Sequence, residues 1–213
     1  TLRPDTVEEF VTAELFYKKD KLSNIILDVI KSADIDVNSV EVTEQDDDFF
    51  KNAPKEMPEW LKNRFKYIIQ FGHLDKNNEE ISLDFSAESD GTRMLFKILG
   101  PIIKTLSQGG TIIVDELHNH MHPFVLEKVI SLFQNKKLNK NNAQLIFTSH
   151  DFTPMDPKIL GRDQVWLTQK NKEKATELIP LSSFKELRND SVFWKYYISG
   201  KLGAVPDIKE VSD

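Results

Sequence analysis

A short run of β-branched residues followed by two carboxylates constrains the fold of this chain more than any other feature. The run is Thr111–Val114, and Asp115 and Glu116 come directly after it. Because four residues are too few for a helix, the run predicts a buried strand of a parallel sheet. Open α/β sheets bind ligands in the crevice outside the carboxyl ends of their strands, so we expect the two carboxylates to mark a site.

Two other segments place polar side chains at the start or end of a predicted element. One is the polar turn that opens a long amphipathic helix, and it consists of Ser89, Asp90, Gly91 and Thr92. The other is the end of a second buried strand over residues 144–148, where Ser149-His150-Asp151 follows. The three segments therefore predict polar groups at one helix start and at two strand ends.

Each of these segments suits a step of triphosphate chemistry. A serine hydroxyl and a glycine amide at a helix N-terminus, as at Ser89 and Gly91, form an anion site. Asp115 is suited to hold the hydration shell of Mg²⁺, and Glu116 to deprotonate an attacking water. His150 is suited to hydrogen-bond a terminal phosphate.

The remaining periodicities predict an α/β fold, with a mainly parallel sheet flanked by helices, an antiparallel hairpin and an N-terminal helical segment. The further predicted strands lie at 37–42, 65–74, 80–85, 165–168 and 175–180. The predicted helices lie at 1–35, 58–66, 90–108, 124–134 and 190–197. The last two strands are expected to form an antiparallel pair that closes the sheet.

Composition narrows the class of protein. The chain has 213 residues, of which 39% are hydrophobic, and no run approaches the roughly 18 apolar residues of a membrane span. Cysteine is absent, which excludes disulfides and cysteine metal sites and fits a reducing cytoplasm. The net charge of −6 argues against a basic nucleic-acid footprint over the whole chain. We therefore expect a cytoplasmic protein that makes no membrane contact.

The strings ESDGT, IIVDELHNHMHP and IFTSHD together resemble the C-terminal half of an ABC-type ATPase domain, a P-loop NTPase-like fold. They are most similar to SMC/Rad50-like and overcoming-lysogenization-defect-like AAA ATPases, especially those of bacterial phage-defence and abortive-infection systems. The string YISGKLGAVP also resembles the ending of these proteins, so the resemblance covers residues 60–210.

The resemblance implies a role for each segment. Ser89–Thr92 would be the signature loop, which binds the γ-phosphate of ATP held by the other subunit. Asp115 would be the Walker B aspartate, holding Mg²⁺ through water, and Glu116 the catalytic glutamate. Leu117–His122 would be the D-loop at the dimer seam, and His150 the switch histidine. ATP and Mg²⁺ are thus the implied cofactors.

One departure from the family pattern is serious, since no G-x-x-x-x-G-K-[ST] loop occurs in the chain. We therefore expect the C-terminal part of a longer ATPase, with the N-terminal Walker A half absent. Residues 1–60 would be the remnant of a helical arm or lid with an acidic loop at Asp46–Asp48, and residues 61–213 the C-terminal half of the ATPase domain. Such a chain would by itself bind ATP weakly and be inactive in hydrolysis.

The implied function of the complete protein is ATP hydrolysis at a head-to-tail homodimer interface, in bacterial defence against phage. An effector nuclease and DNA are candidate partners. Two alternatives stay open at this point. One is a non-catalytic regulatory or scaffold chain that keeps the ATPase shape. The other is a metal-dependent hydrolase that uses Asp115 with the alternating His118, His120 and His122.

Overall fold

The computed structural model describes residues 1–3, 9–33, 35–46, 58, 62–63, 65–188 and 191–205. The chain divides into two compact units, Thr1–Ser149 and His150–Asp213. Residues 59–61 and 64 of the predicted helix at 58–66, the acidic loop beyond Asp46 and the chain after residue 205 lie outside the described residues. Within the described ranges, no helix combines the length and the apolar character that crossing a bilayer requires.

The two units differ in their elements. The helices of the first unit are α1 (Phe10–Tyr17), α2 (Lys21–Ser32), α3 (Asp90–Gln108) and α4 (Pro123–Gln134). Its strands are β1 (Ser39–Glu44), β2 (Tyr67–Leu74), β3 (Glu80–Asp84), β4 (Thr111–Val114) and β5 (Gln144–Phe147). The second unit contains β6 (Trp166–Lys170), β7 (Thr176–Pro180) and α5 (Phe193–Ile198).

The predicted antiparallel hairpin is confirmed, and it is part of a larger sheet. β2 pairs antiparallel with β3, with Phe71 opposite Leu83. β1 adds a third strand on the other side of β2, with Val42 opposite Ile69. The turn between β2 and β3 closes on Asp75, whose side chain accepts hydrogen bonds from two backbone N–H groups of the turn. The short strand expected near residue 40 therefore forms the edge of this sheet.

The two strands predicted to be parallel pair directly with each other. β4 and β5 run parallel, with Ile112 opposite Leu145. On the other edge of β4, Leu2 forms an isolated parallel bridge with Val114. The N–H of Leu2 donates to the carbonyl of Ile113 at 2.7 Å. The predicted adjacency of the two strand ends is therefore correct.

Three parts of the sheet prediction are wrong for the described residues. The parallel part is small, because the sheets are one antiparallel triplet, one parallel pair and one antiparallel pair. β6 and β7 pair only with each other and do not close the β4–β5 sheet. The strands β4 and β5 are also not buried on both faces, since Ile113 and Ile146 are 42% and 53% exposed. Apolar runs predict that strands exist but do not determine which strands pair or how each face is covered.

The core of the first unit forms where α1 and α2 pack on α3 and the antiparallel sheet. Ile26 and Ile30 of α2 are fully buried. Phe71 of β2 meets Phe96 of α3 edge to face, with ring centroids 5.3 Å apart. The predicted N-terminal helical segment thus exists as part of the first unit. Its origin as the remnant of an arm or lid, with a boundary near residue 60, stays a prediction.

Helix α3 continues through Pro101 because α1 supplies a replacement hydrogen-bonding group. A proline inside a helix has no N–H to donate, so the carbonyl of Lys97 loses its usual partner. Thr12 of α1 is fully buried, and its hydroxyl lies 2.7 Å from the carbonyl oxygen of Phe96 and 3.3 Å from that of Lys97. The N–H of Gly100 donates back to the Thr12 hydroxyl at 3.0 Å.

The glycine before this proline lets the two helices approach closely. A Cβ atom on Gly100 would lie 2.8 Å from the Cα atom of Thr12. The Gly100-Pro101 step is therefore the point where α1 meets α3.

A hydrogen bond between a histidine and a glutamate ties β2 to the segment that precedes α3. Nε2 of His73 lies 2.6 Å from Oε1 of Glu88, and the Glu88 side chain is only 7% exposed. A carboxylate can only accept, so the imidazole N–H donates this bond. Because Glu88 immediately precedes Ser89, the pair anchors the start of α3 to the antiparallel sheet.

The second unit has its own apolar core, formed by Met155, Leu167, Leu181, Leu187, Phe193 and Leu202. Phe193 is the first residue of α5 and is fully buried. The ring of Trp194 stacks on Phe152 with centroids 5.7 Å apart. The predicted short aromatic helix is confirmed from Phe193 onward, and its aromatic side chains pack within this unit.

Replacing Thr12 by valine should destabilise the first unit. The substitution keeps the side-chain shape but leaves the polar groups at the Gly100-Pro101 step without their hydroxyl partner. We expect a loss of about 1–3 kcal/mol in the free energy of unfolding, measured by urea denaturation. Thr105→Val is the matched control, because that hydroxyl bonds only a carbonyl of its own helix. Equal stability of the two variants would contradict this role of Thr12.

Replacing His73 by alanine should also destabilise the protein, because it leaves the nearly buried carboxylate of Glu88 without this donor. The expected loss is about 1–3 kcal/mol in urea denaturation. In the control His73→Gln, a side-chain amide N–H can donate to the same carboxylate, so most of the stability should return. If His73→Gln and His73→Ala are equally destabilised, the hydrogen bond is not the cause.

Candidate functional site

The acidic pair lies at the carboxyl end of β4, where the sequence predicts it. Asp115 is half-buried and Glu116 is exposed. Glu116 has a left-handed backbone, with φ of 56°. One carboxylate oxygen of Asp115 lies 3.4 Å from Nε of Arg3, whose side chain is 67% exposed. A solvent-exposed pair of this kind contributes at most about 1 kcal/mol, so this carboxylate stays available to a ligand.

Thr148, just beyond β5, contacts both members of the acidic pair. Its hydroxyl donates to Oδ1 of Asp115 at 2.6 Å. The hydroxyl oxygen of Thr148 also accepts a hydrogen bond from the N–H of Glu116 at 2.8 Å. Thr148 was not among the predicted site residues, because a threonine at the end of an apolar strand carries no distinguishing signal.

The predicted polar turn is confirmed as a helix start. Ser89 is the N-cap of α3, and its hydroxyl accepts from the N–H of Thr92 at 3.1 Å. Asp90 forms an ion pair with Arg93 one turn later. The hydrogen bond and positive charge of Arg93 lower the pKa of Asp90, and the nearby His120 lowers it further. Asp90 is therefore ionised at neutral pH and neutralised locally by Arg93.

The start of α3 contacts the segment that follows the acidic pair. A Cβ atom on Gly91 would lie only 3.0 Å from the carbonyl oxygen of His120, so glycine permits this approach. His120 itself has a left-handed backbone, with φ of 60°. The structure thus brings Ser89–Thr92 and Leu117–His122 together within the first unit.

A pocket of about 510 Å³ opens beside this contact. It lies between the C-terminal end of α2 and the N-terminal ends of α3 and α4. Its lining includes Ser89, Gly91, Thr92, His122 and Lys128. The turn that opens α3 therefore borders open space on one side and the 117–122 segment on the other.

The three alternating histidines do not form a metal site. Among the described residues, which include all of 111–128, no three His, Cys, Asp or Glu side chains are placed to hold a metal ion. His122 instead caps α4, and its Nδ1 accepts from the N–H of Phe124 at 3.3 Å. The zinc alternative, with Asp115, His118, His120 and His122, is therefore wrong. It assumed an extended loop, whereas the chain turns repeatedly between Asp115 and Pro123.

His150 is the first residue of the second compact unit. It follows Ser149 in the chain and is exposed. Its predicted meeting with Asp115 and Glu116 at one edge of the sheet stays a prediction.

Comparison with known proteins agrees with the resemblance of the motifs. The family described as "AAA domain, putative AbiEii toxin, Type IV TA system" matches residues 8–153. Among solved structures, the fold is similar to a chain from "Structural biochemistry of ATP-driven dimerization and DNA stimulated activation of SMC ATPases". The TM-score is 0.51 at 10% identity, over 89% of this chain and 96% of that chain, which shows a shared fold alone. No curated protein gives a significant match.

The family match includes every segment of the candidate site, from the Ser89 turn through the acidic pair to His150. It also spans more than half of the chain. The chain therefore belongs to this AAA family and has a P-loop ATPase-like α/β fold.

Proposed function

We propose that this chain supplies the signature loop, the metal-binding aspartate and the catalytic glutamate of an ABC/SMC-like ATPase. The observation that carries the proposal is the contact between Gly91 and His120. It joins a capped helix N-terminus, suited to a phosphate, to the segment that directly follows two carboxylates. The contact supports the proposal because it links the two segments that would carry the nucleotide chemistry within the first unit.

The start of α3 would bind the γ-phosphate of ATP held by the other subunit. The first N–H groups of a helix have no partner within it and favour an anion. Ser89 would add a hydroxyl and Gly91 a backbone amide, whereas the N–H of Thr92 already donates to the Ser89 hydroxyl and would have to exchange that bond for the phosphate. Asp90 would repel a phosphate, and its ion pair with Arg93 offsets that repulsion.

The acidic pair would serve the metal and the attacking water. Mg²⁺ in nucleotide sites takes one or two carboxylates and completes its shell with water and phosphate oxygens, which fits a single half-buried carboxylate at Asp115. When bound, Mg²⁺ would neutralise charge that develops on the phosphates. Glu116 is exposed and would accept the proton of the attacking water. His150 would donate a hydrogen bond to the γ-phosphate.

These 213 residues contain no phosphate loop of the G-x-x-x-x-G-K-[ST] type. The lysine and amides that cradle the β- and γ-phosphates must come from polypeptide outside them. In the complete ATPase, two subunits would hold two ATP molecules head to tail, and this chain would be its C-terminal portion. Phage defence in the cytoplasm is the process we propose, with an effector nuclease and DNA as partners, in keeping with the toxin system named in the family description.

A second candidate function is a non-catalytic regulatory or scaffold chain that retains the ATPase fold. The missing phosphate loop favours it. Sequencing the gene upstream of Thr1 separates the two functions. A phosphate loop in the same reading frame supports the ATPase, and its absence supports the scaffold.

Residues 1–213 alone should bind Mg-ATP weakly, because the groups that bind the β-phosphate are not among them. We expect calorimetric titration to give a dissociation constant well above the micromolar range and to reveal little hydrolysis. Micromolar affinity would show that these residues contain a complete nucleotide site.

In the full natural polypeptide, Glu116→Gln should abolish turnover and keep ATP binding. The amide keeps the side-chain shape but cannot accept a proton, so we expect kcat to fall by about 10²–10⁴. ATP-bound dimers should accumulate, as measured by light scattering. Glu127→Gln on the exposed side of α4 is the control and should behave as wild type. Unchanged turnover in Glu116→Gln would remove this residue from the role of base.

A further inference from the structure

We propose that the hydroxyl of Thr148 positions the acidic pair for ATP hydrolysis without touching the nucleotide. The inference rests on the proposed ATPase function. Thr148 binds four consecutive residues at the end of β4. Its N–H donates to the carbonyl of Val114 at 3.0 Å, and its carbonyl accepts from the N–H of Leu117 at 3.1 Å. Between these two backbone bonds, its hydroxyl contacts Asp115 and Glu116.

The chemistry of a hydroxyl determines the direction of both side-chain bonds. A threonine hydroxyl has one hydrogen to donate, and the backbone N–H of Glu116 can only donate. The hydroxyl hydrogen is therefore directed to Oδ1 of Asp115, and a lone pair of the same oxygen receives the Glu116 N–H. The 2.6 Å separation from Asp115 is typical of a charge-assisted bond to a carboxylate.

These two hydrogen bonds orient the carboxylate of Asp115 and the backbone of Glu116. At Asp115 the Thr148 hydroxyl binds Oδ1, and Oδ2 faces the exposed side chain of Arg3. At Glu116 the same hydroxyl accepts the backbone N–H. Glu116 has a left-handed backbone, which is disfavoured for any residue with a Cβ atom. The carbonyl of Glu116 is held as well, by the N–H of Asn119 at 2.9 Å. Thr148 thus couples the proposed metal ligand to the backbone of the proposed base.

The contribution of the hydroxyl can be separated from that of the backbone. Any residue other than proline at position 148 can make the backbone bonds to Val114 and Leu117. Valine has the shape of threonine and suits a strand end, so Thr148→Val removes only the two hydroxyl bonds. Thr111 offers a matched control at the opposite end of β4, where its exposed hydroxyl lies 3.3 Å from the side-chain oxygen of Gln144.

The first test is kinetic and uses the full natural polypeptide. Thr148→Val should lower kcat for ATP about 10- to 100-fold, because a small misplacement of reacting groups has effects of this size. KM should stay within about twofold, since the nucleotide contacts are unchanged. Thr148→Ser should retain most of the activity and Thr111→Val all of it. In the Glu116→Gln background, Thr148→Val should still form ATP-bound dimers.

The second test needs no turnover. Amide hydrogen exchange should become about tenfold faster at Glu116 in Thr148→Val, since its N–H loses its acceptor. Exchange at Leu117 should not change, because its acceptor is a backbone carbonyl. Thr148→Ser should restore slow exchange at Glu116.

Several results would overturn the inference. One is a wild-type kcat, or unchanged amide exchange at Glu116, in Thr148→Val. Another is a loss of activity in Thr148→Ser or in Thr111→Val as large as that in Thr148→Val. A complete absence of turnover and of ATP-dependent dimers, with the exchange effect present, would instead overturn the proposed ATPase function and with it the catalytic role of Thr148.

Discussion

The candidate site depends first on the parallel pairing of β4 with β5. Val114 lies opposite Phe147, so the two strands end at the same edge although their residues are 33 apart in the sequence. Thr148 continues this pairing one residue further and reaches past the strand end to Leu117. Because the backbone bonds hold the strand ends together, the side-chain bonds to Asp115 and Glu116 need only orient groups that are already close.

The second part of the site depends on how α3 begins and how it is braced. Ser89 caps the helix, and the buried carboxylate just before it is held by His73 on the antiparallel sheet. Further along the helix, Thr12 satisfies the polar groups around Pro101. α3 therefore has anchors at its start and at its middle, which suits an element whose first turn would meet a ligand.

Some predictions failed because a periodic pattern carries no information about backbone turns or sheet neighbours. The alternation of three histidines suggested one extended face, but His120 adopts a left-handed backbone and His122 caps α4. The apolar runs of β4 and β5 suggested burial on both faces, but Ile113 and Ile146 are exposed. The histidine segment is determined by local turns and by the cap of His122 on α4, whereas the exposure of the two isoleucines depends on which elements cover the strands.

The sequence by itself determined the family, the strands, the helix start at Ser89 and the acidic pair, because these depend on local composition and on motifs of adjacent residues. Only the tertiary structure decided that Gly91 contacts His120, that Thr12 contacts Gly100 and that Thr148 joins Asp115 to Glu116. Each of these contacts links residues about 30 or more positions apart. Their geometry follows from how strands pair and helices cross, which no local pattern specifies.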